Sequence, residues 1–353
     1  MKLAFLVLTG VIWAQAPVVP PSQAMCNRAL QLMDAGGVAV PGLARSGAPI
    51  LENVKQACLQ IRVNPAASQP AYEFLMNLRA YIALYEALPK PDPFPATARA
   101  QFSELRDLNG NFDTYFRGLL DQKEKQILSS DRDDIARFAE ANRKLGAAQP
   151  GKPRIVFFGD SITQGWRLNE YFPERDFVNR GISGQIAGQL LGRMKADVID
   201  LHPEAVVLLI GTNDIARGVP IDRIEGQIEM LAQLASANKI KPILCSLLPV
   251  SDYHKAENPA YEQTLSRPLG TILALNSWME RYAAQHGYGY ANFHAAVVDG
   301  KGYLGEESSD DGLHPNGKGY RLMAPVVLAA IEKVVTVPPR SEERRVGKEC
   351  RSR

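Results

Sequence analysis

Four side chains in three short segments have the types and order needed for one chemistry. Ser161 lies in Gly-Asp-Ser-Ile-Thr, Asn213 in Gly-Thr-Asn-Asp, and the pair Asp311 and His314 in Asp-Gly-Leu-His-Pro. A serine supplies a nucleophile, an asparagine can donate to a developing oxyanion, and an Asp-x-x-His pair supplies a base with an orienting carboxylate. Acyl transfer through a serine needs these parts, so the segments predict a serine esterase.

Each of these residues also has an ordinary structural interpretation. Ser161 could be a helix N-cap, and Asn213 could be a turn or cap residue. Asp311 and His314 could instead ligate a metal ion. The sequence contains no His-Glu-x-x-His motif or other zinc spacing, which disfavours a metal site.

The elements that must position these side chains are predicted from apolar runs after residue 150. Short β-branched runs alternate with helical stretches, which is typical of a parallel sheet with helices on both faces. In such sheets the functional site lies outside the carboxyl ends of the strands, where Ser161 and Asn213 are predicted. The predicted strands are 154–158, 176–179, 205–210, 242–247 and 288–291, and the predicted helices are 185–200, 221–238, 270–286 and 321–334.

A different sequence pattern precedes this region. Residues 23–146 carry apolar side chains at spacings of three and four, which predicts helices, and no strand pattern occurs. Asp131 is a plausible N-cap for a helix over 132–145. The chain is therefore divided into an all-α region at 17–150 and an α/β domain at 151–336. The helical region carries no recognisable chemical constellation, which favours a structural or partner-binding role.

The two ends are set apart from the fold. Residues 1–16 resemble a signal peptide: Lys2 precedes an apolar stretch that ends in Ala-Gln-Ala. A buried N-terminal helix or a membrane anchor is the alternative, but the stretch is short for a span of about 20 residues. We expect an exported protein, periplasmic or secreted, without stable membrane insertion after cleavage. Residues 337–353 are expected to be a disordered or artefactual tail.

Composition and charge narrow the possible partners. The 353 residues are 46% hydrophobic and 22% charged, as in ordinary globular proteins. The formal charge is +2, but residues 340–353 carry a net +3 and Lys2 one more, so the remainder is −2. No basic surface for nucleic acid is implied. Cys26 and Cys58 could pair in an oxidising compartment, whereas Cys245 is expected to be a buried strand residue.

The three segments, with Asn-Arg-Gly-Ile-Ser-Gly at 179–184 between the first and second, resemble the blocks of the SGNH hydrolases, also called the GDSL family. The resemblance covers roughly residues 150–335 and keeps the family's block order. It implies a flavodoxin-like three-layer α/β/α fold and no metal or organic cofactor. It does not extend to residues 17–146.

The same resemblance implies a role for each residue. Ser161 corresponds to the nucleophile, His314 to the base, and Asp311 to the residue that orients it. The oxyanion hole would consist of the N–H groups of Ser161 and Gly184 and the side chain of Asn213.

The ester is less well defined by the sequence. The polar segment 250–268, which includes Tyr253 and His254, is predicted at the active-site edge, where polar and aromatic groups suit a sugar. We therefore expect a short acyl ester, most simply acetyl, on a carbohydrate. A lysophospholipase, a thioesterase or a general short-chain esterase is the alternative, and a non-catalytic binding protein of the same fold is a remote one.

Overall fold

The computed structural model describes residues 21–40, 42–149 and 151–335, and these form two compact units that divide between Phe116 and Arg117. The division predicted from the sequence, an all-α region at 17–150 and an α/β domain at 151–336, stays a prediction. The predicted signal peptide and C-terminal tail lie outside the described residues. Within the described ranges, no helix is both long and apolar enough to cross a membrane.

The N-terminal unit is helical, as the spacing of its apolar residues predicts. In the fourth helix the buried side chains recur every three or four residues, so one face packs inward while the other stays in water. The Tyr81 hydroxyl donates to the Met33 carbonyl at 2.6 Å, which satisfies a buried polar group. The helices are α1 (Pro21–Ala39), α2 (Leu43–Ser46), α3 (Ala48–Val63), α4 (Ser68–Ala87) and α5 (Ala96–Ile127), the last of which contains the boundary between the units.

Two cysteines meet inside this helical unit. Cys26 on α1 and Cys58 on α3 are both buried and free, and their thiols hydrogen-bond to each other. That hydrogen bond and burial raise the pKa of Cys26 far above its ordinary value, so the Cys26 thiol is not poised as a nucleophile.

We expect Cys26 and Cys58 to form a disulfide when the protein folds in the presence of a disulfide oxidant, which accepts the two thiol hydrogens. The cross-link should raise the free energy of unfolding by about 3 kcal/mol, because it restricts the unfolded chain. Denaturant unfolding with and without reductant measures this effect, and the Cys58→Ser variant should show no dependence on reductant. Alkylation of both thiols in unreduced, unfolded protein would contradict the prediction.

The segment predicted as one helix over 132–145 is broken in the structure. Asp134 has a left-handed φ of 59°, which interrupts a right-handed helix. A 3₁₀ turn follows at Ile135–Phe138, and α6 spans only Ala139–Lys144. The prediction that Asp131 is the N-cap residue is wrong, because Asp134 holds that position, but the Asp131 carboxylate accepts from the first two N–H groups of the turn.

This broken segment belongs to the α/β unit because its polar groups bond into it. Asn142 donates to Asp197 at 2.7 Å and accepts from Arg180 at 2.8 Å. Gln185 donates to the carboxylate of Asp134 at 2.9 Å. These contacts explain why the compact unit begins well before the first strand.

We expect a protein that begins at residue 117 to keep these contacts and one that begins at residue 151 to lose them. Removing partners from buried polar groups costs about 1–3 kcal/mol each, so the shorter protein should lose about 3 kcal/mol of unfolding free energy or more. Urea unfolding of both truncated proteins tests this, with Asn142→Ala in the full chain as a local comparison. Equal unfolding midpoints for the two truncations would contradict it.

Five parallel strands form the sheet of the second unit, in the order β2-β1-β3-β4-β5. The central strands are buried on both faces, which is why they consist of continuous apolar runs without alternation. This is the flavodoxin-like order, and it reverses between β1 and β3. The strands are β1 (Ile155–Gly159), β2 (Phe177–Gly181), β3 (Ala205–Leu209), β4 (Lys241–Cys245) and β5 (Gly289–Ala291). All five predicted strands are therefore confirmed, with shifts of one or two residues at their ends.

Helices connect the strands and cover both faces of the sheet, as the alternating pattern predicts. The long helices confirm the predicted ones, although the first is shorter and the last begins earlier. The helices of this part are α7 (Ser161–Gln164), α8 (Leu168–Tyr171), α9 (Ala187–Asp197), α10 (Thr212–Ala216), α11 (Ile221–Ala237), α12 (Leu269–His286), α13 (Phe293–Val297) and α14 (Gly317–Val334).

Candidate active site

The sheet brings Ser161, His314 and Asp311 into one hydrogen-bonded line. The Ser161 Oγ lies 2.9 Å from His314 Nε2, and His314 Nδ1 lies 2.6 Å from Asp311 Oδ2. Ser161 follows β1, whereas the other two residues lie on the loop before α14, so residues about 150 positions apart in the chain meet. This is the spacing required for a histidine to remove a proton from a serine hydroxyl.

Asp311 is held by its own loop. Its Oδ1 accepts from the N–H groups of Leu313 at 2.9 Å and His314 at 2.8 Å, and from the Ser309 hydroxyl at 3.2 Å. Burial opposes ionisation of the carboxyl, but the hydrogen bonds from His314 and Leu313 outweigh it and lower the pKa of Asp311 below its ordinary value. Asp311 is therefore an ionised, oriented acceptor for the histidine ring.

The nucleophile candidate stands at the carboxyl end of β1 in the first turn of α7. Asp160 is the N-cap, and its Oδ1 accepts from the Ile162 N–H at 3.0 Å. The Ser161 N–H lies in the first turn, where the helix itself provides no carbonyl partner. Burial raises the pKa of Asp160 to about 7, although the Ile162 N–H and the nearby His314 and Arg267 favour the charged form.

The two other oxyanion candidates follow β2 and β3, the strands on either side of β1. Asn213 is in α10 after β3, and its Nδ2 donates to Gln185 O at 3.1 Å and to Asp160 Oδ2 at 3.3 Å. Gly184 follows β2 with φ of 78°, a conformation that favours glycine, and its carbonyl accepts from Arg217 at 2.6 Å. All the site residues predicted from the sequence thus lie at one edge of the sheet.

Comparison with known proteins identifies the family of this chain. Residues 157–322 match the profile of the GDSL-like lipase/acylhydrolase family. A GDSL-like lipase of known structure from Bacteroides thetaiotaomicron is 34% identical, with a TM-score of 0.53, over 57% of this chain and 99% of that one. This chain belongs to the GDSL-like lipase/acylhydrolase family.

Two curated relatives are more distant. The esterase TesA of Pseudomonas aeruginosa is 26% identical over 47% of this chain and 82% of that protein. The thioesterase 1/protease 1/lysophospholipase L1 of Escherichia coli K12 is 25% identical over 30% of this chain and 57% of that protein. With its family established, the chain is a carboxylic ester hydrolase.

Two polar residues brace the strand-end loops of this GDSL-family site. Asp214 is fully buried, and its carboxylate accepts from the Ala187 N–H at the start of α9 at 3.1 Å. Asn179 donates to the carbonyls of Thr163 at 2.6 Å and Trp166 at 2.9 Å, just beyond Ser161. Burial raises the pKa of Asp214 to about 6, while the Ala187 N–H opposes the rise. Both residues therefore hold the loops at the strand ends by hydrogen bonds.

A buried arginine under the site was missed by sequence reasoning. Arg193 on α9 is fully buried and donates to Gln185 Oε1 at 2.6 Å, Asp197 Oδ2 at 2.9 Å and Gly159 O at 3.1 Å. It thereby ties the loop after β2 to the end of β1. The available signal was the spacing of Arg193 and Asp197, four residues apart on the apolar face of α9.

The polar segment 250–268 packs against the loop that carries Asp311. His254 Nε2 lies 3.1 Å from the Ser309 carbonyl, and the Tyr253 hydroxyl donates to Asp299 at 2.5 Å. Two of the groups that suggested a sugar site are therefore engaged within the protein. The segment therefore supports the loop that carries Asp311.

Proposed function

We propose that this GDSL-family hydrolase cleaves a short acyl ester, most simply an acetyl group on a carbohydrate, through an acyl-enzyme on Ser161. The hydrogen-bonded line from Asp311 through His314 to Ser161 carries the proposal, because it supplies a nucleophile with its base and orienter.

The first half of the reaction forms the acyl-enzyme. His314, with its proton on Nδ1 toward Asp311, accepts the Ser161 hydroxyl proton at Nε2. The serine oxygen bonds to the ester carbonyl carbon, and the carbonyl oxygen becomes an oxyanion. His314 then gives its Nε2 proton to the alcohol oxygen as the ester C–O bond breaks. Water, activated by the same Nε2, releases the acid and restores Ser161.

The oxyanion is assigned to the N–H groups of Ser161 and Gly184 and to Asn213. In the resting site the two Nδ2 hydrogens of Asn213 face Gln185 O and Asp160 Oδ2, the second contact being longer. We infer that the hydrogen shared with Asp160 turns to the oxyanion as charge develops. The interaction would then be stronger in the transition state than in the ground state, as catalysis requires.

Replacing Asn213 with alanine should lower kcat by about 10²- to 10³-fold with little change in KM, since one oxyanion donor is lost. Steady-state kinetics with p-nitrophenyl acetate measure this. Asn238→Ala, at the exposed end of α11, is the matched control and should retain activity. A loss confined to KM would show that Asn213 binds the ground state instead.

The distribution of exposed apolar side chains supports a substrate with a short acyl group. In the described part of the α/β unit, the exposed large apolar side chains belong to helices and to the segment before β1, and none belongs to the loops that directly follow the strands. They are Leu120, Ile127, Leu128, Ile135, Met230, Leu234, Leu273 and Leu322. A long acyl chain would need an apolar surface beside Ser161.

Chain-length dependence tests the substrate class. Rates should fall steeply from p-nitrophenyl acetate to butyrate to octanoate, and the protein should release acetate from acetylated xylan or chitooligosaccharide. A preference for octanoate or for lysophosphatidylcholine would instead favour the lysophospholipase alternative, for which the Escherichia coli relative's name gives precedent. Folded protein without activity on any ester would overturn the proposed function.

Export is part of the same proposal. The signal-like pattern over residues 1–16 and the adjacent buried thiols of Cys26 and Cys58 support it. Mass spectrometry of the mature protein from culture supernatant or periplasm tests it, since cleavage should leave an N-terminus near residue 17.

A further inference from the structure

The segment that follows β4 places a buried cation in contact with the residue before Asn213. Arg267 is only 8% exposed, and its Nε donates to Thr212 Oγ1 at 3.2 Å. Its Nη1 donates to Gln263 Oε1 at 2.8 Å and to Ser266 Oγ at 3.0 Å. A buried guanidinium is costly without such partners, so its position is specific.

Gln263 continues the chain of contacts to the other side of the site. Its Nε2 donates to Asp311 O at 3.3 Å and to Ala260 O at 3.2 Å, and its side chain is 8% exposed. The Arg267 N–H donates to the Gln263 carbonyl at 3.0 Å, which fixes the two side chains relative to each other. Two residues four positions apart thus join Thr212, the neighbour of Asn213, to the Asp311 loop.

The charges around Arg267 come from the candidate site and its supporting loops. Asp160 and Asp311 face it as carboxylates, and Arg217 faces it as a second cation. Burial lowers the pKa of Arg267 to about 10, so it remains charged at neutral pH, and the two carboxylates favour that charge. The groups that face Asp160 are Arg267, His314 and Asp214, of which the first two favour its ionised form.

We propose that Arg267 is a positioning residue for ester hydrolysis. Through its contacts with Thr212 and Gln263, it fixes the position of the oxyanion donor Asn213 relative to Asp311. The proposal rests on the function assigned to Ser161 above. Asp160 accepts from the Asn213 amide, and the Arg267 charge favours the carboxylate form of Asp160, so it also supports the orientation of that amide.

Arg267→Met and Arg267→Lys separate these effects in the full chain. With p-nitrophenyl acetate we expect Arg267→Met to lower kcat by about 30- to 100-fold and to change KM less than about 3-fold, since misplaced catalytic groups cost about that much. Without the cation the pKa of Asp160 rises, so the acid side of the kcat–pH profile should move to higher pH. Arg267→Lys keeps the charge, so its kcat–pH profile should match the wild type, and its kcat should be about 10-fold higher than that of Arg267→Met.

Gln263→Met provides a second test that leaves the charge in place. It removes the contact with Asp311 while nearly preserving volume, so kcat should fall about 10-fold without a shift of the pH profile. Lys255→Met, an exposed cation on the same segment, is the control and should behave like the wild type. Circular dichroism and thermal unfolding confirm that each variant is folded.

Two results would overturn the inference. One is a kcat for Arg267→Met within about 2-fold of the wild type, as expected for a residue without catalytic influence. The other is an unchanged pH profile with equal losses in the Met and Lys variants, which indicates a purely structural role. Wild-type protein that lacks Ser161-dependent hydrolysis would overturn the proposed function instead, so the two failures are distinguishable.

Discussion

Replacing Ser161 with alanine should lower kcat for p-nitrophenyl acetate by about 10⁴-fold or more while the protein stays folded. The serine hydroxyl is the nucleophile in the proposed reaction, since its oxygen lies 2.9 Å from His314 Nε2. The alanine side chain has no group that could take over this role. KM, where it can be measured, should change little, because the missing bond forms only during reaction. A burst of p-nitrophenol in the wild type, absent in the variant, would identify the acyl-enzyme.

A double variant and a control sharpen this result. Ser161→Ala combined with His314→Ala should be no slower than Ser161→Ala alone, because the two groups act as one unit. Ser236→Ala, on the exposed side of α11, should retain full activity. Residual Ser161→Ala activity within about 10-fold of the wild type would rule out the serine mechanism.

Replacing Asp311 with asparagine should lower kcat by about 10³- to 10⁴-fold, because the substitution favours the wrong tautomer of His314. Oδ1 of Asp311 accepts from two N–H groups and a hydroxyl, so an asparagine would keep its oxygen there and turn its NH₂ toward His314 Nδ1. The histidine would then carry its proton on Nε2 and donate to Ser161 instead of accepting from it.

The pH dependence of stability provides a second readout for Asp311. Its pKa is lowered in the fold, so its stabilising contribution is present above the unfolded pKa of about 3.9 and is lost as the pH falls below that value. Asp311→Asn should remove this part of acid unfolding. Asp310→Asn is the matched control, because Asp310 is exposed and bonds only to Asn316 among the contacts described for its carboxylate. A kcat loss below about 10-fold would show that Asp311 does not orient His314.

The sequence by itself determined the sheet and the parts of the site that follow its strands. Buried parallel strands are continuous apolar runs, so all five could be located, and polar residues after the first and third had to meet at one edge. The Asp-x-x-His pair was predictable because both residues lie in one tight loop.

Other features were decided only by the tertiary structure. The attachment of the segment 131–145 to the α/β unit depends on Asn142 and Gln185, whose partners lie about 50 residues away and follow no local pattern. Tyr253 and His254 suited a sugar by type, yet they bond to Asp299 and Ser309 because the loops before α14 pack on their segment.

The buried arginines that support the site were likewise decided by the tertiary structure. Arg193 and Arg267 would ordinarily be assigned to the surface from their charge, since charged side chains are rarely buried without partners. Their partners come from several strand-end loops that only the folded sheet brings together. Local periodicity therefore determines which elements form and where reactive residues stand on them, whereas the buried polar contacts that hold those residues in place arise from long-range packing.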